Sequence, residues 1–570
     1  MLKALATTGR DMGRSPRGTL QHPLSQGWDE RRIAWYSPPG GERALSATWF
    51  RRDAVRLVLV LDWKRTSIPR LHSDVDAVVE GIHPKIQSES FAGRTPHVLE
   101  PTRLAAIVSF VAEAMAEADV PGASLAIVDR NGLLLERQLG TKRRGRPERI
   151  GPSTRFLVGS IQKPLTSLLL AKLADEGRLS WSSPVVSLFP SFRLGDPEMT
   201  ARAQLKHLVC NCTGLPYEGP DAYFEAHLVT PASIFQTVAT WKPTTGFGGT
   251  YSYSNFLFAE AGYIAGHVLE PRAELGRAFD DAMRTRVFEP LGMRDTTYDL
   301  ARVEAGDHAS PHVEDIDGAS TPTSLDGARL MVPQRPAGAG WTTAADYARY
   351  LRVELSNGVL PDGRRFATEE NLLARRAPQV SSGVSTSYGL GMTLDRTTGV
   401  LVVRHDGANV GYRSIMFFIP EAGVGGVLMT NSETGALIVR PFLRRVLELI
   451  FDGRPEAATH LAHDAMARRE ARTLERTKLT YPPEPAAVRD LAKRYHHPRL
   501  GFLDVRNDGP HTVFDFGEWH VRVALRATDD RSTVFSLVGD QQPPAWFTVG
   551  QRDGRRTLTM GTEVFVEVSP

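Results

Sequence analysis

Residues 156–179, "FLVGSIQKPLTSLLLAKLADEGRL", place the tightest constraint on the fold. Ser160 and Lys163 stand three apart, so on a helix they project from one face and can touch. Pro164 then fixes where that helix begins. A proline inside a helix deletes a hydrogen bond and clashes, whereas in the first turn its missing donor has no intrahelical partner anyway. Ser160 is therefore expected at the helix start, where the positive dipole end and unpaired N–H groups favour negative charge developing beside its oxygen. The Leu-rich continuation to the Gly177 stop predicts a buried helix, which a sizeable domain must surround.

With 570 residues the chain exceeds the size at which one core stops growing, and two or more domains follow. A hydrophobic share of 41 % and a charged share of 23 % match globular chains. The formal charge of +3, on 68 basic and 65 acidic residues, provides no overall field for nucleic acid or anionic lipid. No nucleic-acid partner is expected. The most apolar early run, "AVRLVLVLDW" at 54–63, is short and interrupted by Arg56, so no membrane span is expected. No secretory signal is visible near the start, which leaves a cytoplasmic location as the default.

Residues 1–70 carry thirteen Lys or Arg against six Asp or Glu. Together with the segment up to residue 98 they are expected to form a poorly ordered basic leader. Order should begin at 99, with Thr102 capping a helix whose Leu104, Ile107, Val108, Val111 and Met115 keep helical spacing. "ASLAIVDRNGLLLERQLG" reads as two strands turning at Asn131-Gly132. Helices and Gly/Pro-rich loops follow, and strands return in "GVLVVRHDG", "YRSIMFFIPE" and "VGGVLMTN" before a helix near 436–451. One sheet would thus be assembled from both ends of a domain over 99–455. The charged and Pro-rich stretch 456–485 reads as a linker, and the strand-like remainder, 486–570, as a small all-β barrel or sandwich.

The chain has two cysteines, Cys210 and Cys212, too close in sequence for good bridging geometry. With His207 they lack a fourth metal ligand, so buried thiols are expected and no metal site.

Three motifs then occur in order: "VGSIQKPLTSLLLAKLADEGRL", "GGTYSYSNFLFAEAGYIAGHVL" and "VRHDGANVGYRS". They resemble the serine β-lactamase and penicillin-binding superfamily, in particular its branch of class C β-lactamases, D-alanyl-D-alanine carboxypeptidases, D-aminopeptidases and related esterases. "FEPLGMRDTTYD", "GAGWTTAADYARYL", "YGLGM" and "VLMTN" are similar to stretches that accompany the motifs, and the likeness covers about residues 100–450. It implies an α+β (α/β) transpeptidase-like domain, an antiparallel sheet with helices on both faces plus an all-helical subregion.

It also implies roles: Ser160 as nucleophile, Lys163 and Tyr253 as bases, Asn255 orienting Lys163 and a substrate amide, and His405 in the third motif, on an edge strand. Gly407 would let an acyl group approach, and the amides of Ser160 and Ala408 would form an oxyanion hole. The resulting activity is a serine hydrolase acting through an acyl-enzyme on an ester, amide or D-residue peptide, without a cofactor. An acyltransferase or peptide cyclase of the same fold, or a module that is acylated without turnover, is the alternative. Two departures matter. His405-Asp406-Gly407 stands where class C β-lactamases usually have Lys-Thr-Gly, which favours the carboxypeptidase, aminopeptidase and esterase members. "HLVCNCTGLP" replaces a stretch like Thr-His-Thr-Ser-Gly-Leu-Pro. Many relatives are exported, so a periplasmic or secreted location is also consistent with the likeness.

Overall fold

The computed structural model describes residues 18–21, 28, 30–36, 43–52, 54–64, 82, 89–216, 224, 228–528, 532–539, 546–561 and 563–568. Near the start, four strands, β1 (Gly18–Gln21), β2 (Glu30–Trp35), β3 (Arg43–Arg52) and β4 (Val55–Lys64), pair in sequence order as an antiparallel sheet. The expectation of a poorly ordered leader is corrected for these residues. β4 is the apolar run at 54–63, and small buried clusters form around Ala34 with Ala47 and around Trp28 with Phe50. Order in the main domain also starts before 99, because Phe91 stacks on Phe451 at 5.2 Å and Glu89 pairs with Arg444 at 2.6 Å.

Helix α1 (Pro101–Glu117) carries Pro101 in its first turn, where a proline loses nothing, so Thr102 lies inside the helix rather than capping it. Its buried Ile107, Val111 and Met115 face the sheet. The hairpin β5 (Gly122–Asp129) and β6 (Leu133–Gly140) turns at Asn131-Gly132, whose two amides donate to the Asp129 carboxylate. Helix α2 (Gln162–Asp175) follows, then a run of short helices and α3 (Asn255–Leu269). Six strands complete the sheet: β7 (Val380–Ser381), β8 (Thr386–Tyr388), β9 (Thr393–Asp395), β10 (Val402–Asn409), β11 (Tyr412–Ile419) and β12 (Val424–Thr430). The order is β7-β8-β9-β10-β11-β12-β5-β6, all antiparallel, and Val427 opposite Ala126 joins the two ends of the domain. α1 and α4 (Ala436–Phe451) cover one face and α2 the other. This is the expected architecture.

α2 is the core helix its sequence predicts. Leu165, Leu168, Leu169, Leu170 and Leu173 are all fully buried, each contributing about 1.5–3 kcal/mol by leaving water. Its first turn is tied down by the buried Arg375, which donates to the Pro164 carbonyl at 2.7 Å and to Ser167 Oγ at 3.0 Å. Glu354, also wholly buried, neutralises Arg375 at 2.5 Å.

The expected linker begins instead with α5 (Glu456–Arg476), a 21-residue helix. Its charges are not solvated spacers. Arg468 and Arg472 bind Glu314, Arg476 binds Asp317 and Arg469 binds Glu117, while Ala457 and Leu461 enter the core. Beyond it, eight strands from Arg494–His497 to Glu563–Glu567 close into a barrel, the first pairing with the last through Tyr495 and Glu567. The first strand reads "RYHH", too polar to announce itself, and only its Tyr495 is buried.

Candidate active site

Val158-Gly159-Ser160 turns into α2 through one 3₁₀ turn, with Gly159 at φ +59°. The turn leans on β10. A Cβ on Gly159 would lie 2.6 Å from the Ala408 amide nitrogen, and one on Gly407 would lie 2.0 Å from the Val158 carbonyl oxygen. Both contacts exclude a side chain, so the two glycines set how close Ser160 comes to the backbone at Ala408. Ser414 Oγ, from the neighbouring strand, donates to the same Val158 carbonyl at 2.6 Å.

β10 is an internal strand rather than an edge strand, but β9 pairs only with residues 402–404. From His405 onward its other side faces the turn that carries Ser160.

Around Ser160 the expected groups converge. Lys163 Nζ is 3.0 Å from Ser160 Oγ, and the Tyr253 hydroxyl is 2.8 Å from the same oxygen. Lys163 is fully buried, and its ammonium also donates to Asn255 Oδ1 at 2.6 Å and to the Ala337 carbonyl at 2.9 Å. It lies 4.7 Å from the centre of the Tyr253 ring. Lys163 Nζ is thus placed beside any negative charge that develops on Ser160 or on the phenol oxygen, where water screens it little. Ser254, between Tyr253 and Asn255, caps α3 by accepting from the Leu257 amide.

His405 lines the same cleft as Ser160, with its ring held by two contacts. Its Nδ1 faces the Asp406 carbonyl at 2.7 Å, and its Nε2 lies 3.0 Å from the Tyr388 hydroxyl. A neutral ring satisfies both contacts, with Nδ1–H donating and Nε2 accepting from Tyr388. Burial, and then the nearby Lys163 charge, push its pKa down to about 3. Both ring nitrogens are occupied, and its ring centre is 6.4 Å from that of Tyr253.

The site opens into a cleft of about 680 Å³. Tyr251, Tyr388 and Arg404 line it, and so do Leu330, Met331 and, from the barrel, Trp519. Tyr388 lies within the recognised stretch "YGLGM", yet nothing local assigns it to His405. Trp519 reaches the cleft only because the barrel docks there, with Phe224 of the main domain packed in the barrel core. Among the described residues no cluster of His, Cys, Asp or Glu is arranged to hold a metal ion. No described helix is long and apolar enough to cross a membrane.

The cysteine expectation is corrected. Cys210 and Cys212 form a disulfide, their Cα atoms 5.3 Å apart. The bridge becomes possible because Asn211 between them adopts a left-handed backbone at φ +52°, which folds the chain back.

The family model for Beta-lactamase matches residues 107–447, which include all the residues converging on Ser160. The chain belongs to the beta-lactamase family. Among its relatives, penicillin-binding protein 4 of Amycolatopsis lactamdurans is 28 % identical over 347 residues, spanning 58 % of this chain and 86 % of that protein. D-aminopeptidase of Cereibacter sphaeroides (strain KD131 / KCTC 12085) is 27 % identical over 334 residues, 55 % of this chain and 58 % of its own. The octameric penicillin-binding protein homologue from Pyrococcus abyssi shares the fold, with a TM-score of 0.53 at 18 % identity over 81 % of this chain and 99 % of that one. For this beta-lactamase-family chain, the family and these relatives support a function of serine-hydrolase type.

Proposed function

We propose that the chain is a serine hydrolase that forms an acyl-enzyme on Ser160 and acts on an amide, D-residue peptide or ester. The observation that carries this reading is the convergence of Lys163 Nζ and the Tyr253 hydroxyl on Ser160 Oγ at 3.0 and 2.8 Å. A serine hydroxyl is a weak nucleophile until a neighbour removes its proton. Lys163 and Tyr253 are the groups within reach, and the proton belongs to the coupled set rather than to either alone. Ser160 attacks the carbonyl, the amides of Ser160 and Ala408 receive the developing oxyanion, and the proton passes through Tyr253 or Lys163 to the leaving group. Water then resolves the ester.

His405 supports the cleft as a neutral ring bonded to Tyr388 and the Asp406 carbonyl. The His405-Asp406-Gly407 motif and the likeness to a D-aminopeptidase favour peptide or ester substrates over β-lactams. Leu330, Met331 and Trp519 suit an apolar group on the substrate. The test is a fluorophosphonate label followed by a screen of short-chain esters, D-residue amides and nitrocefin. Turnover of an ester or D-residue amide, lost in Ser160→Ala, is expected. A stable adduct without turnover of any substrate would contradict a hydrolase.

A further inference from the structure

Asn211 holds the chain on both sides of Tyr253. Its backbone carbonyl accepts from the Ser252 amide at 2.7 Å, and its side-chain Oδ1 accepts from the Ser254 amide at 3.0 Å. Ser254 is the residue that caps α3, so the same grip fixes Asn255, the partner of Lys163. Next to Asn211, the Cys212 carbonyl accepts from the Gly248 amide at 2.7 Å, which ties down the loop leading into Tyr251 and Tyr253. All three residues are buried: Cys210 at 0 %, Asn211 at 1 % and Cys212 at 3 % exposure.

The two-sided grip needs the carbonyl and the side chain of Asn211 to face one segment, which the left-handed backbone at φ +52° provides. For a residue with a Cβ that conformation is uncommon, though asparagine tolerates it better than most. The bridge between Cys210 and Cys212 closes a small ring around this residue and limits its backbone to few alternatives.

We propose that Asn211 is a positioning residue for Tyr253 and Asn255, and that the Cys210–Cys212 disulfide makes this positioning, and with it acylation of Ser160, dependent on redox state. With the bridge intact, Tyr253 is held against Ser160. When a dithiol reductant attacks, the S–S bond breaks, Cys210 and Cys212 take up two electrons and two protons as thiols, and the reductant leaves as its own disulfide. Asn211 is then free to return to ordinary backbone conformations, and the amides of Ser252 and Ser254 lose their fixed acceptor. The apolar wall of Leu330, Met331 and Trp519 is not held by Asn211, so most of the loss falls on the chemical step. Disulfides persist in oxidising compartments and are reduced in most cytosols, so the chain would be fully active only in the former.

The inference rests on the acyl-enzyme reading above, and the experiment separates the two. The acylation rate of the full chain by a fluorophosphonate, and kcat and KM on a turned-over ester, are measured before and after dithiol reduction. Alkylation counts the thiols released. Cys210→Ser/Cys212→Ser serves as a permanently unbridged form, and Asn211→Gly keeps the backbone conformation and the carbonyl but removes Oδ1.

Acylation rate and kcat should fall about tenfold or more in the reduced and unbridged forms, with KM changed less than about threefold. Asn211→Gly, with its bridge intact, should show the same split in part. Equal acylation rates in bridged and fully reduced protein would overturn the inference, as would a fall in melting temperature alone or a change confined to KM. Should the serine variant not fold, the reduced wild type and Asn211→Gly still decide. If the untreated wild type is not labelled on Ser160, the acyl-enzyme reading itself fails.

Discussion

The Tyr388 hydroxyl donates to Nε2 of His405 across 3.0 Å, which leaves the histidine as an acceptor rather than a free donor in the cleft. With Nδ1 committed to the Asp406 carbonyl and the pKa near 3, the ring stays neutral over the working range of pH. Activity on a neutral ester should therefore show no fall as pH rises through about 6.5, where an ordinary histidine titrates. His405→Gln, whose amide can accept from Tyr388 and donate to the carbonyl, should keep much of the activity. A pH–rate profile of both proteins checks this. A collapse of wild-type activity above about pH 7 that the variant does not share would show that a charged His405 is needed.

The same burial has a stability consequence of definite sign. The folded pKa of His405 lies about 3, below the ordinary value, so between those limits the unfolded chain binds a proton that the folded chain does not. The stability linked to its neutral form is complete above about pH 6.5 and is lost as pH falls. His405→Gln lacks that proton and should gain stability relative to wild type as pH is lowered from about 7 to 4. Denaturant titrations of the pair at several pH values measure the difference. A constant difference would mean the ring is not buried neutral.

Gly407→Ala tests the approach of β10 to Ser160. The new Cβ would fall 2.0 Å from the Val158 carbonyl and 2.1 Å from Ser414 Oγ, so the strand or the turn must shift. A shift of about 1 Å between Ser160 and the Ala408 amide should cost about a hundredfold in acylation rate. Stopped-flow labelling on the folded variant provides the number, and a rate within about threefold of wild type would exclude the close approach.

Much of this site was legible because its parts are local. Ser160, Lys163 and Pro164 share one turn, and Tyr253, Asn255, His405 and Gly407 each sit in a short motif, so spacing and resemblance placed them. What escaped depends on long-range packing. Tyr388 meets His405 through the pairing of β8, β9 and β10, and Trp519 arrives with a separate barrel.

Asn211 was obscured for another reason. Its importance comes from a left-handed backbone and a bridge that sequence spacing argued against. The stretch Glu456–Arg476 reads as linker because the partners of its arginines, Glu314, Asp317 and Glu117, lie far away in the sequence.

Trp519 provides a test of the cleft wall. It stacks on Phe516 at 4.2 Å and faces the cleft with Leu330 and Met331. Trp519→Leu should raise KM for esters with bulky apolar groups while leaving kcat on a short-chain ester within about threefold. Parallel kinetics on a short and a long ester measure the split. An equal change for both substrates would remove Trp519 from substrate recognition.

The central claim is that Ser160 carries the acyl group during turnover. Rapid-quench intact-mass measurement on the full chain with a turned-over ester tests it most directly. The predicted result is an acyl adduct that rises and decays at a rate matching kcat, located by peptide mapping on the segment containing Ser160 and absent in Ser160→Ala. An adduct on another residue, or undiminished turnover in Ser160→Ala, would contradict the account.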